Sequence, residues 1–146
     1  ETGTGTAFAF TAAGTSNQIL MSNGVSAPTW RSLSSVTRIS STTSTATLSV
    51  NSDLYDFYII TALATNLSIT IDSGSPVNGQ KLMFRIKDDG QLRTISWATL
   101  VNKGYRQVGV ILPSGTGTLI PGNTTYIGCV YNSDDQRWDV IAVGQS

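Results

Sequence analysis

No stretch of this chain carries apolar side chains at the 3.6-residue spacing of an amphipathic helix. Strong helix formers are also scarce, since the only glutamate is Glu1 and lysine occurs three times. Apolar residues instead alternate with polar ones, as in residues 81–87, where Leu82, Phe84 and Ile86 share one face of a strand. The sequence therefore predicts an all-β fold.

The strand pattern changes near residue 50. Residues 1–50 are rich in Ser and Thr with few bulky side chains, which favours an extended β connector that buries no core of its own. Residues 51–146 hold dense, short strand patterns separated by turns, and we predict that they form a jelly-roll-like antiparallel β-sandwich. Within it, residues 88–90 and 133–136 are predicted hairpin turns that join paired strands.

Composition argues against several classes of function. The formal net charge is zero and 12% of residues are charged, so we expect neither nucleic-acid binding nor a strong electrostatic field. The chain has no histidine, which removes the usual general base and the commonest metal ligand. No apolar run approaches the length of a membrane span. We expect no enzyme activity, no cofactor, no metal and no membrane insertion.

Two smaller features have competing interpretations. Cys129 is the only cysteine and lies in an apolar segment, which favours a buried, inert thiol over a reactive one. Asn51, Asp53 and Asp56 offer oxygen ligands for a calcium ion, but they lack the full spacing of a known binding loop. An ordinary turn is the favoured interpretation of that segment.

Two stretches resemble known proteins. Residues 14–33, GTSNQILMSNGVSAPTWRSL, resemble a Gly-Thr-Ser-Gly-Gln-Val-Leu-x-Ser-Asn-Gly-x-Gly-Ala-Pro-x-Trp element of tail fibres and related appendages of tailed bacteriophages. The matching positions are Gly14, Gln18, Leu20, Ser22, Asn23, Gly24, Ala27, Pro28 and Trp30. Asn17 and Ser26 stand where the element has glycine. Residues 78–97 and 126–146 are similar to a C-terminal domain of phage fibre and virion proteins, through Gly-Gln-Lys-Leu, Lys-Asp-x-Gly and Trp-Asp-Val motifs.

The resemblance implies a homotrimeric fibre or appendage of the virion. Its C-terminal domain would lie at the distal tip, follow the upstream part of the parent virion protein, and attach outside the cell to a bacterial surface receptor, most simply a glycan. A thin connector cannot cover its own apolar positions, whereas three copies around one axis can. The predicted trimer interface consists of Ile19, Leu20, Trp30, Val36, Ile39 and Leu48.

The predicted receptor-binding surface lies on polar loops of the C-terminal part. Neutral loops rich in Ser, Thr and Asn can hydrogen-bond sugar hydroxyls. Tyr105 beside Arg106 offers a ring to stack on a sugar and a guanidinium to bind a carboxylate. We predict that the binding residues are Asn102, Lys103, Tyr105, Arg106, Ser114, Thr116 and Asn123.

Three alternatives remain open at this point. The first is a structural virion domain, in a fibre shaft, a collar or a capsid decoration, that meets no receptor. The second is a polysaccharide depolymerase, which the scarcity of acidic residues and the short chain disfavour. The third is a monomeric, secreted carbohydrate-binding module, which explains residues 14–33 poorly. Attachment of the chain to host cells separates the first alternative from a receptor-binding tip.

Overall fold

The computed structural model describes residues 14–15, 18–32, 37–99, 102–116 and 119–146. The chain divides into two compact units, and the division falls between Val36 and Thr37. The second unit therefore begins earlier than the predicted boundary at residue 50, because Leu48 and Val50 are buried in its core. Two apolar side chains at alternate positions suffice to attach this Ser/Thr-rich segment to a core.

The first unit contains an antiparallel hairpin. Strand β1 (Gln18–Asn23) pairs with β2 (Ser26–Ser32), and Leu20 lies directly opposite Trp30. Gly24 adopts a φ of 64° in the connecting loop, a backbone conformation that glycine reaches without strain. The turn that Asn23-Gly24 predicts is therefore present.

The second unit contains two sheets. The larger one is built from β3 (Ile39–Thr42), β5 (Phe57–Leu63), β7 (Lys81–Asp88), β9 (Tyr105–Gln107), β11 (Thr124–Asn132) and β12 (Arg137–Gln145). The smaller one is built from β4 (Thr47–Leu48), β6 (Leu67–Ile69), β8 (Thr94–Trp97) and β10 (Gly115–Thr116). The described residues contain no helix, and the predicted all-β class is confirmed.

Strands β3 to β11 alternate between the two sheets along the chain. The larger sheet has the order β3-β5-β7-β11-β12-β9, and the smaller has the order β10-β8-β6-β4. Strands β3, β5 and β7 run parallel to one another, as do β4, β6 and β8. Each of the strands β4 to β7 thus lies in the crossover between two parallel strands of the other sheet.

This alternation corrects two expectations. The purely antiparallel pairing expected of a jelly-roll-like sandwich is wrong, because both sheets mix parallel and antiparallel strands. Residues 88–90 do not close a hairpin either, since β7 and β8 lie in different sheets. The hairpin predicted at residues 133–136 is confirmed, because β11 and β12 pair antiparallel on either side of it.

The inner faces of the two sheets share one hydrophobic core. Phe84 on β7 and Trp97 on β8 meet edge to face, with their ring centroids 5.4 Å apart. Tyr58 on β5 stacks on Phe84 at 5.8 Å. The largest fully buried side chains are Trp138, Tyr58, Tyr105, Phe84, Ile60, Leu63, Leu67, Ile69, Leu82, Ile86, Ile95 and Leu119.

One carboxylate, Asp72, is also fully buried. Its Oδ1 accepts hydrogen bonds from the backbone N–H groups of Ser52 (2.9 Å) and Gly74 (2.9 Å). Its Oδ2 accepts from the hydroxyl of Ser52 (2.6 Å) and from Nε1 of Trp138 (3.2 Å). Both oxygens are therefore satisfied, which is the condition for keeping a charge in a protein interior.

Candidate functional site

A groove of about 550 Å³ lies beside β8 and β9. It takes its lining from β8, from β9, from the segment between β9 and β10, and from the first residue of β12. The lining residues are Thr94, Ile95, Ser96, Trp97, Thr99, Tyr105, Arg106, Gln107, Leu112, Ser114 and Arg137. The volume falls within the range of about 300–1,000 Å³ that is usual for small-ligand sites.

The apolar part of the groove is held rigidly. Trp97 donates a hydrogen bond from Nε1 to the carbonyl oxygen of Pro113 (2.6 Å), which joins β8 to the segment before β10. The ring of Trp97 also meets that of Tyr105 on β9, with centroids 5.0 Å apart. Leu112 is buried in the same core. These three side chains are at most 9% exposed, so they form the packed base of the groove and offer a ligand little apolar surface.

Hydroxyl and amide groups supply the neutral polar part of the lining. Thr94, Ser96, Thr99 and Ser114 carry hydroxyls, and Gln107 carries an amide. Each hydroxyl can donate one hydrogen bond and accept two, and the amide can do both. These groups match the alternating donors and acceptors of a polyhydroxylated ligand.

Arg106 is held by two carboxylates. Its Nε lies 2.8 Å from Oδ1 of Asp139, and its second terminal nitrogen lies 3.1 Å from Oδ2 of the same side chain. Asp135 approaches that nitrogen at 2.8 Å. The hydrogen bonds that Arg106 donates to Asp135 and Asp139 raise its pKa above the ordinary value. The guanidinium is therefore fixed in place and largely neutralised.

Arg137 has a different environment. One of its terminal nitrogens donates to the carbonyl oxygen of Thr99 at 3.4 Å. The ion pairs found within the described ranges involve Arg38, Arg93 and Arg106, and they do not include Arg137. Arg137 thus brings to the groove a guanidinium that forms none of the ion pairs recorded within the described ranges.

The predicted receptor-binding residues separate into two groups. Tyr105, Arg106 and Ser114 line the groove, whereas Asn102, Lys103 and Asn123 do not. Thr116 lies on β10, and its side chain is outside the described part of the structure. Asn102 and Lys103 occupy a turn with positive φ, and Nζ of Lys103 donates to the carbonyl oxygen of Gly74 (2.8 Å). Asn123 closes another turn through its N–H bond to the carbonyl oxygen of Ile120 (3.0 Å).

Tyr105 requires a correction. Its side chain is 1% exposed and packs in the core against Phe84 and Trp97, so its ring cannot stack on a sugar at the surface. Burial raises the pKa of its phenol well above the ordinary value. The reason lies in the strand period, since β9 turns Tyr105 inward and Arg106 outward.

Eight of the lining residues were not among the predicted binding residues, namely Thr94, Ile95, Ser96, Trp97, Thr99, Gln107, Leu112 and Arg137. Arg137 reaches the groove because β12 pairs in parallel with β9, which places Trp138 beside Tyr105. No local pattern in the sequence predicts the pairing of β9 with β12.

The carboxylates considered as calcium ligands in residues 51–56 already accept hydrogen bonds from other groups of the protein. Asp56 accepts hydrogen bonds from Nε of Arg38 (3.0 Å) and from a terminal nitrogen of Arg38 (2.6 Å), which lower the pKa of this carboxyl. Asp53 accepts from the backbone N–H of Ser75 (2.9 Å). Within the part of the chain that the structure describes, no cluster of three or more His, Cys, Asp or Glu side chains is placed to hold a metal.

The predicted trimer-interface residues differ in how far their side chains are exposed. Leu20 and Trp30 are 41% and 37% exposed on one face of the hairpin, and Ile39 on β3 is 51% exposed. Ile19 is half-buried. Leu48 is buried in the core of its own unit, so its assignment to an intersubunit contact is wrong. Val36 lies outside the described residues.

Cys129 on β11 is buried, as predicted, and burial raises the pKa of its thiol to about 12. No helix in the described ranges is long and apolar enough to span a membrane. No family model, curated protein or solved structure matches the chain, and the phage resemblance therefore depends on the sequence motifs alone.

Proposed function

We propose that this chain is the tip domain of a phage tail fibre, that it trimerises, and that it attaches the virion to a glycan on the bacterial surface without enzyme activity. The observation that carries the proposal is the groove beside β8 and β9. It combines neutral hydroxyl and amide groups with two arginines, above a base of buried apolar side chains. Such hydrogen-bonding groups suit the hydroxyls of a sugar.

Trimerisation explains the exposed side chains of the hairpin. An isolated two-stranded hairpin is marginally stable in water. Leu20 lies opposite Trp30 in the hairpin, and a Cβ added at Gly14 would lie 2.7 Å from the Trp30 ring. Association of three copies would cover Leu20 and Trp30 and stabilise the hairpin.

Weak single sites are sufficient for this function. Three linked grooves that engage one surface increase avidity by about 10²–10⁴ over a single site without any new contact. A shallow groove of neutral polar groups then suffices for attachment, and it releases individual sugars quickly.

Two measurements test this proposal. Light scattering coupled to size exclusion is expected to give three times the 15.5 kDa of one chain. Fluorescently labelled chain is expected to attach to host cells, and the double variant Gln107→Ala, Ser114→Ala is expected to lose attachment. Asn123→Ala is the control, because Asn123 lies outside the groove. A trimer that attaches to no cell in a broad bacterial panel would overturn receptor binding.

A structural virion domain is the second candidate, and one surface favours it. The register of the larger sheet places Ile39, Phe57, Met83 and Ala142 in one row on its outer face. Ile39 and Met83 are 51% and 42% exposed. Such a row suits packing on a neighbouring virion protein. If this candidate is correct, the chain binds a neighbouring virion protein and Met83→Lys weakens that binding. The chain itself then does not attach to cells.

A further inference from the structure

We propose that the sugar bound in the groove carries an acidic group, and that Arg137 is the residue that binds this acid. The inference rests on the proposed function and names the class of glycan. It follows from the distribution of charge around the groove, which differs from that of a site built for neutral sugars alone.

Two arginines line the groove, and the described lining residues include no acidic side chain. Asp135 and Asp139 both bind Arg106 at 2.8 Å. These two carboxylates hold the Arg106 guanidinium in one orientation, and together with the two arginines they bring the formal charge of the cluster to zero. Neither of them makes an ion pair with Arg137.

Arg137 keeps most of its hydrogen-bonding capacity. A guanidinium has five N–H donors in a planar fork, and the one hydrogen bond recorded for Arg137, to the carbonyl oxygen of Thr99, is 3.4 Å long. A planar fork matches two oxygens of a carboxylate or a phosphate. An acidic substituent on the sugar would supply oxygen acceptors for the N–H donors of Arg137, which makes one long hydrogen bond.

The rest of the groove orients such a sugar. Gln107 and Ser114 are exposed and provide partners for ring hydroxyls, above a base formed by the buried Trp97 and Leu112. The acidic group then points towards β12, where Arg137 is the first residue. Arg137 selects the acid, and the other lining residues bind any sugar of suitable shape.

The test compares two ligands that differ at one carbon atom. Methyl glucuronide carries a carboxylate where methyl glucoside carries a CH₂OH group. Each is titrated into the full-length ¹⁵N-labelled chain, and the backbone amide shifts of residues 94–99 and 105–114 are followed by NMR. We expect the glucuronide to bind about tenfold tighter, because one charge-assisted hydrogen-bond pair replaces a neutral contact. Glucose 6-phosphate, titrated in the same way, separates recognition of a carboxylate from recognition of a phosphate.

Arg137→Ala is expected to remove this tenfold preference and to leave binding of methyl glucoside unchanged. The control is Lys87→Ala, which removes one positive charge from the exposed face of β7, away from the groove. Unchanged amide spectra outside the groove verify that both variants fold.

Equal affinity for the two methyl glycosides, in the parent chain and in Arg137→Ala, would overturn the inference and leave a neutral glycan as the ligand. The inference is also wrong if the chain attaches to cells while none of the three ligands shifts the backbone amide signals of the groove. The receptor site would then lie elsewhere. Failure of the parent chain to attach to cells is a separate result, and that result refutes the proposed function.

Discussion

The buried carboxylate of Asp72 is predicted to be a major source of stability for the second unit. It joins three distant parts of the chain, since its partners are Ser52, Gly74 and Trp138. Replacement by alanine removes the acceptor for all of them at once. Two of the donors are backbone N–H groups, which cannot turn away to find water.

The expected cost follows from the number of stranded donors. A buried donor left without an acceptor costs about 1–3 kcal/mol. Asp72→Ala strands two backbone N–H groups and Nε1 of Trp138, and it removes a carboxylate whose burial itself carries a desolvation penalty. The expected net loss is about 4 kcal/mol, a large share of the roughly 5–15 kcal/mol that stabilises a typical domain.

The amide variant is expected to have an intermediate effect. Asp72→Asn retains an oxygen for the backbone N–H groups of Ser52 and Gly74. It also directs an N–H towards Nε1 of Trp138, where two donors meet. We expect it to lose about half as much stability as the alanine variant.

Equilibrium unfolding in urea, followed by tryptophan fluorescence at a fixed protein concentration, measures these losses. For an m-value of about 2 kcal/mol/M, Asp72→Ala should lower the midpoint by about 2 M. The control is Asp53→Ala, which removes an exposed carboxylate that binds the N–H of Ser75. A loss below about 1 kcal/mol for Asp72→Ala would show that the neighbouring backbone rearranges and that the argument from stranded donors is wrong.

Three further predictions use other buried or paired groups. Cys129 should not react with a thiol reagent at pH 8 until the chain unfolds, because its thiol is buried and has a pKa of about 12; rapid reaction of the folded chain would contradict this. Tyr105→Phe should leave stability unchanged or slightly raised in thermal unfolding, since the phenol oxygen is buried without a hydrogen-bond partner; a marked loss would indicate a partner. The hydrogen bond from Arg38 lowers the pKa of Asp56 below its ordinary value, so the stabilising contribution of this pair is complete at pH 7 and declines as the pH falls through the lowered value. Urea midpoints should therefore differ between Asp56→Asn and the parent chain at pH 7 and converge as the pH falls below that lowered pKa; a constant difference would contradict the assignment.

The sequence by itself determined the all-β class and the faces of several strands. Alternation of apolar and polar residues places Leu82, Phe84 and Ile86 on the buried face of β7, because side chains of a strand point to opposite sides in turn. The burial of Cys129 and the hairpin before β12 were predictable for the same local reason. These features depend on residues that are neighbours in sequence.

Only the tertiary structure decided which strands pair and where the groove forms. A period of two residues is the same in parallel and antiparallel sheets, so the alternation cannot reveal that β7 and β8 belong to different sheets. It likewise cannot tell which of Tyr105 and Arg106 faces inward, since a shift of one residue exchanges the two faces. The groove joins Trp97, Gln107 and Arg137 through the parallel pairing of β9 with β12, a contact between residues that are far apart in the chain. The position of the groove therefore depends on the order of the strands in the sheets, and the side-chain pattern of a single strand does not determine that order.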